Sequence, residues 1–240
     1  MIYTESFYIG YSDTNRELVL SDSAILRIFE NIGSMHSAVA GDGMKDSPAR
    51  WFLTANKIKI YKRPAHEERI TVKTWIREAR GFSSCREIEI YNDKGELAVT
   101  GISNWARINI ETGRPERMSA ELYARYEPEP DRTNFDSAWI GKMKEPDTYS
   151  IQKSYYIDRY FIDANNHMNN VYYIDLASCI LPNEIYESTD IKSFEISYRK
   201  AIAYGETVKC CYAKDGDKIT VAVKSEDGAE TRAIIQMSVK

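Results

Sequence analysis

Asp163-Ala164-Asn165-Asn166-His167-Met168-Asn169-Asn170-Val171-Tyr172-Tyr173-Ile174 brings a carboxylate, a carboxamide and an imidazole close together, at Asp163, Asn165 and His167. From Val171 the pattern changes: apolar residues recur at Ile174, Ala177 and Leu181, and Pro182 follows. That period predicts a helix of about three turns with Asn169 or Asn170 as N-cap. The polar cluster then lies in the loop entering a helix, where free backbone N–H groups and the positive dipole end can meet an anion. A proton acceptor, an amide donor and a helix N-terminus are the parts that adding water to a carbonyl needs. Asn and Asp also crowd turns and caps for purely local reasons, so the string alone leaves an ordinary loop open.

Working outward, the segment before this loop, Ser154-Tyr155-Tyr156-Ile157, echoes Ser6-Phe7-Tyr8-Ile9 near the start of the chain. Each leads through an Asp-containing turn to a helix. The first helix is announced by Ser21-Asp22-Ser23, carries Ile25, Phe29, Ile32, Met35/His36 and Val39, and stops at Gly41. Beyond each helix the period changes to two. Ile58-Lys59-Ile60-Tyr61-Lys62-Arg63-Pro64 echoes Phe194-Glu195-Ile196-Ser197-Tyr198-Arg199-Lys200-Ala201, with Tyr61-Lys62-Arg63 lying over Tyr198-Arg199-Lys200. Alternating strands follow in both halves, parted by Asn92-Asp93-Lys94-Gly95 in one and Asp215-Gly216-Asp217 in the other. The chain reads as two copies of one α+β unit, each a helix packed on a curled antiparallel sheet. The boundaries expected are residues 1–117, a proline-bearing connection at 118–150, and 151–240. The first copy has Asp13 and Asn15 in its turn and no histidine in that window, which points to one site per chain.

Composition narrows the function. A net charge of -4 over 240 residues argues against general nucleic-acid binding. No apolar run reaches membrane-spanning length, and Met1-Ile2 leads straight into polar alternation, so a cytoplasmic protein without a signal peptide is expected. Cys85, Cys179, Cys210 and Cys211 lack CxxC spacing, and three scattered histidines make a metal site improbable. His36, on or beside the apolar stripe, reads as a core or helix-end histidine.

The doubled strand–helix–strands pattern with this loop resembles the acyl-ACP thioesterases, a double hot-dog family. The likeness rests on Asp163 to Ile174 and Tyr198-Arg199-Lys200, with Trp51, Arg63-Pro64, Thr74-Trp75 and Asn104-Trp105 in the first half. Lacking a long N-terminal extension of the plastid-targeting kind, the chain looks like the bacterial-type members. The resemblance implies hydrolysis of a long-chain acyl thioester on acyl carrier protein, releasing a free fatty acid, with no cofactor and with homodimerisation left open. It makes Asp163, Asn165 and His167 the catalytic set, His167 as general base or Asp163 as nucleophile. The apolar stripe Ile25, Phe29, Ile32 and Met35 is the expected acyl-binding face, with core packing as its alternative. Lys57, Lys59, Lys62, Arg63, Arg199 and Lys200 are candidates for meeting an acidic carrier, or are ordinary solvated strand edges. One departure stands out: many members carry a glutamate after the Tyr-Arg-Lys segment, and here Ala201 and Ile202 follow it. A protein that binds an acyl group or its carrier without hydrolysing it, or a thioesterase acting on acyl-CoA, are the alternatives.

Overall fold

The computed structural model describes residues 1–45, 47–188 and 191–239 and divides into two compact units, Met1–Ile140 and Gly141–Lys240. In the first, β1 (Tyr3–Tyr8) precedes α1 (Asp22–Val39), and β2 (Ala49–Ile60), β3 (Arg69–Arg80), β4 (Ser83–Tyr91) and β5 (Leu97–Asn109) follow. They form an antiparallel sheet in the order β1-β3-β4-β5-β2, with the short β6 (Arg114–Pro115) on β5. The Ser21 hydroxyl caps α1 by accepting from the Ala24 N–H at 3.2 Å, and Gly41 closes the far end with a φ of +69°. Between these signals Ala24, Ile25, Ile28, Phe29, Ile32, Gly33 and His36 are buried, one stripe at helical spacing. Phe29 lies so close to β5 that a Cβ on Gly101 would come within 2.2 Å of its ring, so only glycine fits there. Register shifts mark bulges at Thr54 of β2, Arg77 of β3 and Ala98 of β5, and such bulges bend and twist their strands.

The second unit is a smaller version. Its β7 (Ile151–Tyr156) precedes α3 (Tyr172–Ile180) and α4 (Asn183–Ser188), then β8 (Ile191–Tyr198), β9 (Thr207–Asp215), β10 (Lys218–Ser225) and β11 (Thr231–Val239). The antiparallel order is β8-β11-β10-β9-β7, and α3 packs on β7, β9 and β11. Each unit is therefore the hot-dog arrangement expected, a helix on a curled antiparallel sheet.

Three expectations need correction. The 118–150 connection is not a free linker. Its first part forms α2 (Ala120–Arg125) and then straps the first unit. Tyr126 is buried and donates to Asp42, Arg132 accepts from the Trp75 indole, and Ala138 accepts from the Asn104 amide. The rest belongs to the second unit, where the Met143 carbonyl accepts from Arg199 and Glu145 meets Lys224 at 2.9 Å. The strap leaves no pattern in the sequence because its many anchors are irregularly spaced. Second, Met35 is 41% exposed and His36 fully buried, so the stripe of α1 continues through His36. The reason is a partner: His36 Nδ1 lies 2.8 Å from the Arg86 guanidinium. Third, the second unit's helix starts at Tyr172 with Val171 in the N-cap place, and Asn169 instead offers its side-chain oxygen to the Val171 N–H at 2.9 Å.

Candidate functional site

The loop from Ile157 to Asn169 is organised by one carboxylate. Asp163 Oδ1 accepts from the Asn165 N–H at 2.8 Å and the His167 N–H at 3.4 Å. Its backbone closes the same turn, Asp163 N–H to the His167 carbonyl at 2.9 Å and Asn166 N–H to the Asp163 carbonyl at 3.1 Å. Asn166 takes a φ of +60°, which asparagine tolerates better than most residues. His167 pairs with Ala203, and the Met168 N–H reaches the Ile202 carbonyl at 2.8 Å, so the loop lies along the segment after β8. Asp163 and His167 are half-buried and Asn165 is exposed. Among the described residues, neither the His167 imidazole nor the Asn165 carboxamide has a hydrogen-bonding partner. The backbone thus brings all three expected residues into one tight turn and leaves two of their polar ends open.

The first unit contains the same turn, bond for bond. Asn15 N–H donates to the Val19 carbonyl, Leu18 N–H to the Asn15 carbonyl, and Asn15 Oδ1 accepts from Glu17 and Val19. Val19 pairs with Ala65, and Leu20 N–H reaches the Pro64 carbonyl at 2.8 Å. Asn15, Glu17 and Val19 therefore stand where the second unit has Asp163, Asn165 and His167. Asp13, which the sequence set beside Asp163, corresponds to Phe161: Ser21 N–H bonds the Asp13 carbonyl as Asn169 N–H bonds that of Phe161.

The strand echo also shifts by one residue. Tyr61 and Lys62 donate to the Ala98 carbonyl as Arg199 and Lys200 donate to that of Arg232. Arg63 therefore matches Ala201, which is exposed and whose carbonyl accepts from Arg232 at 3.2 Å. Sequence reading gave no role to Tyr173, Glu206 or Arg232. Arg232 donates to Glu206 at 2.6 Å, and Tyr173 is buried edge-on to the Tyr198 ring at 5.2 Å. Burial raises the Tyr173 phenol above its ordinary pKa; Arg232 opposes the rise, and Glu206 and Asp163 add to it. The candidate carrier cations are engaged locally. Lys62 pairs with Glu96, Arg63 with Asp22 and Lys200 with Glu230. Lys57 and Lys59 lie over Phe135 and Tyr61, and Arg199 bonds Met143.

Comparison with known proteins adds an independent view. A family model described as the acyl-ACP thioesterase N-terminal domain matches residues 1–126, and one described as the C-terminal domain matches residues 144–239. The chloroplastic oleoyl-acyl carrier protein thioesterase 1 of Arabidopsis thaliana is 25% identical over 228 residues, 86% of this chain and 62% of that protein. The chloroplastic palmitoyl-acyl carrier protein thioesterase of Cuphea hookeriana is 22% identical over 251 residues, 96% of this chain and 60% of that one. The chain spans about three fifths of the length of these relatives. The crystal structure of an acyl-ACP thioesterase from Bacteroides thetaiotaomicron VPI-5482 superposes with a TM-score of 0.90 at 19% identity, covering 100% of this chain and 98% of that one. The 12:0-ACP thioesterase from Umbellularia californica gives 0.84 at 18% identity, covering 100% and 97%. At these identities the structural likeness is one of fold.

Proposed function

The chain belongs to the acyl-ACP thioesterase family, whose models match both of its halves, and on that premise we propose that it hydrolyses long-chain acyl thioesters of acyl carrier protein. The products are the free fatty acid and the carrier thiol. His167 takes a proton from water as the water oxygen bonds to the thioester carbonyl carbon. The carbonyl oxygen becomes negative and is met by the Asn165 carboxamide together with a backbone N–H. Collapse breaks the carbon–sulfur bond, and the thiolate leaves with the proton held on the imidazolium. Asp163 Oδ1 is committed to two backbone N–H groups, so Oδ2 is the oxygen available to orient the water or to face the imidazolium.

The observation that carries this reading is the turn itself: one copy of a duplicated loop holds a carboxylate, an open carboxamide and an open imidazole, and the other holds Asn15, Glu17 and Val19. The relatives, described as acyl carrier protein thioesterases, support the choice of carrier. The test is hydrolysis of a panel of acyl-ACP and acyl-CoA substrates by the parent and by His167→Ala. Faster turnover of acyl-ACP is expected; a preference for acyl-CoA would reassign the carrier, and binding without turnover would leave an acyl-binding protein.

For the acyl chain we propose the α1 face of the first unit, along Ile25, Phe29 and Ile32, with the exposed Met35 as its outer end. Phe29 fills the space over Gly101, so Phe29→Ala should lengthen the preferred chain. A lower Tm with an unchanged chain-length profile would make these residues core alone.

A further inference from the structure

The matched positions of the two copies differ in a second way. Tyr173 follows Asn169 by the same interval as Ile25 follows Ser21, and both are buried. Arg232 stands where the first copy has Ala98, as the paired carbonyl bonds show. The second copy thus places a phenol and a guanidinium where the first has hydrocarbon. Taking such groups out of water costs free energy unless partners compensate, and the first copy shows that this fold accepts hydrocarbon at both places.

Arg232 has specific partners. Its side chain is 11% exposed; it donates to Glu206 Oε2 at 2.6 Å and to the Ala201 carbonyl at 3.2 Å, and lies 3.2 Å from Glu230. Glu206 uses its other oxygen to accept from the Ala203 N–H at 2.7 Å. The pair therefore ties down both ends of the segment from Ala201 to Glu206, and this segment pairs with His167 through Ala203 and with Met168 through Ile202. The first copy keeps half of this device. Glu68 accepts from the Ala65 N–H at 3.0 Å, but its Oε2 is buried without a partner among the described residues. The loop cap is general to the fold, and the clamp belongs to the copy that holds Asp163, Asn165 and His167.

We propose that Glu206 and Arg232 are positioning residues for the hydrolytic reaction: together they fix the segment that pairs with His167, and so fix where the imidazole stands. The proposal rests on the hydrolytic reading given above. Tyr173 is buried edge-on to the Tyr198 ring at 5.2 Å, and the charges of Arg232, Glu206 and Asp163 act on its phenol. Its burial keeps the hydroxyl protonated and able to donate.

The test compares Glu206→Gln, Arg232→Met, the double variant and Glu68→Gln. Glutamine keeps an oxygen for the Ala203 N–H and removes the charge that holds Arg232. Each single change in the clamp should lower kcat by about ten- to a hundredfold with KM within about twofold. The double variant should fall no further than the worse single, because the two act as one unit. Glu68→Gln should leave kcat at the parent value. A second readout needs no turnover. The chain has three histidines, so the ring signals of His167 can be assigned by their loss in His167→Ala. Both clamp variants should move those signals and leave those of His36 and His66 in place. Parent-like kcat in folded clamp variants, additive losses matched by lower Tm, or unmoved His167 signals would each overturn the proposal. A parent that hydrolyses no acyl thioester sinks the functional reading and takes the clamp's catalytic role with it; an active parent with indifferent variants sinks the clamp alone.

Discussion

Asn15 and Asp163 perform the same structural task. Each accepts two backbone N–H groups across a four-residue turn, at 3.0 and 3.3 Å in one case and 2.8 and 3.4 Å in the other. A neutral amide oxygen suffices for that bracing, so the negative charge at Asp163 is not explained by the turn. The same holds at the other two places, where Glu17 and Val19 serve the fold as well as Asn165 and His167 do. Comparing the copies separates what the architecture requires from what it leaves free. The architecture asks for the side-chain acceptor and the left-handed residue. The charge, the carboxamide and the imidazole lie outside its demands.

The largest effect expected follows at once. Asp163→Asn reproduces the first copy's brace, so Tm should not change, while hydrolysis should fall by about 10²–10⁴-fold, the range for losing a group that assists proton transfer. His167→Ala should fall as far. A drop in Tm with Asp163→Asn, measured by calorimetry, would mean that the charge does belong to the fold and would undo the comparison. Next in size is Asn165→Ala. Its side chain is exposed and has no partner among the described residues, so stability should hold while kcat falls by roughly 10²–10³-fold, the loss typical of one oxyanion donor. A change confined to KM would make Asn165 a substrate-positioning group.

The two histidines sharpen the contrast in a different currency. His167 lies half-buried in its loop, whereas His36 is buried on α1 beside Arg86. Burial, then the charges of Arg86 and the N-terminal amine, lower the His36 pKa to about 3. Unfolded, a histidine binds a proton below about pH 6.5; folded, His36 refuses one until about 3. Its contribution to stability is therefore complete above pH 6.5 and is lost progressively as the pH falls toward 3. Over the first two pH units of that fall, from 6.5 to 4.5, the cost is about 2–3 kcal/mol. Urea unfolding at a series of pH values should show this slope in the parent and a shallower one in His36→Gln. Equal slopes would mean that His36 is protonated in the native state.

Much of this arrangement is legible in the sequence. Ser21, the stripe from Ile25 to Ile32, and Gly41 delimit α1 because capping and burial act locally. The duplication shows because each copy repeats a strand, a turn and a helix in order. The register of the second echo was misread for a physical reason. Tyr61-Lys62-Arg63 and Tyr198-Arg199-Lys200 match as side chains, but register is set by backbone pairing to Ala98 and Arg232, far along the chain. That one-residue shift makes Arg63, and not Pro64, the first copy's counterpart of Ala201. The clamp was illegible on the same grounds. Glu206 and Arg232 meet only because β8 pairs with β11, which no local period announces. The strap after Pro115 is held by contacts at irregular intervals, among them Tyr126 to Asp42, Trp75 to Arg132 and Asn104 to Ala138 and Ile140, and irregular spacing leaves no periodicity to read.

The smallest effect tests whether the two turns are held by the same balance of forces. Leu18 and Asn166 occupy matched positions with φ of 56° and 60°. The left-handed region crowds a Cβ against the following carbonyl at a cost of roughly 1–2 kcal/mol, which asparagine partly recovers by local hydrogen bonding. Leucine has no such recourse, so the first copy carries strain that the second does not. Leu18 is 46% exposed, and replacing it loses little apolar burial. Leu18→Asn should therefore stabilise the protein by about 0.5–1 kcal/mol, and Asn166→Leu should destabilise it by a similar amount. Calorimetry of both variants decides the matter. If Leu18→Asn brings no gain, the leucine makes up for its strain through the part of its side chain that is covered, and the first turn is held by packing where the second is held by backbone preference. The identical hydrogen bonds of the two loops would then conceal different causes, and the inference from Asn15 to the spare charge of Asp163 would rest on Asp163→Asn alone.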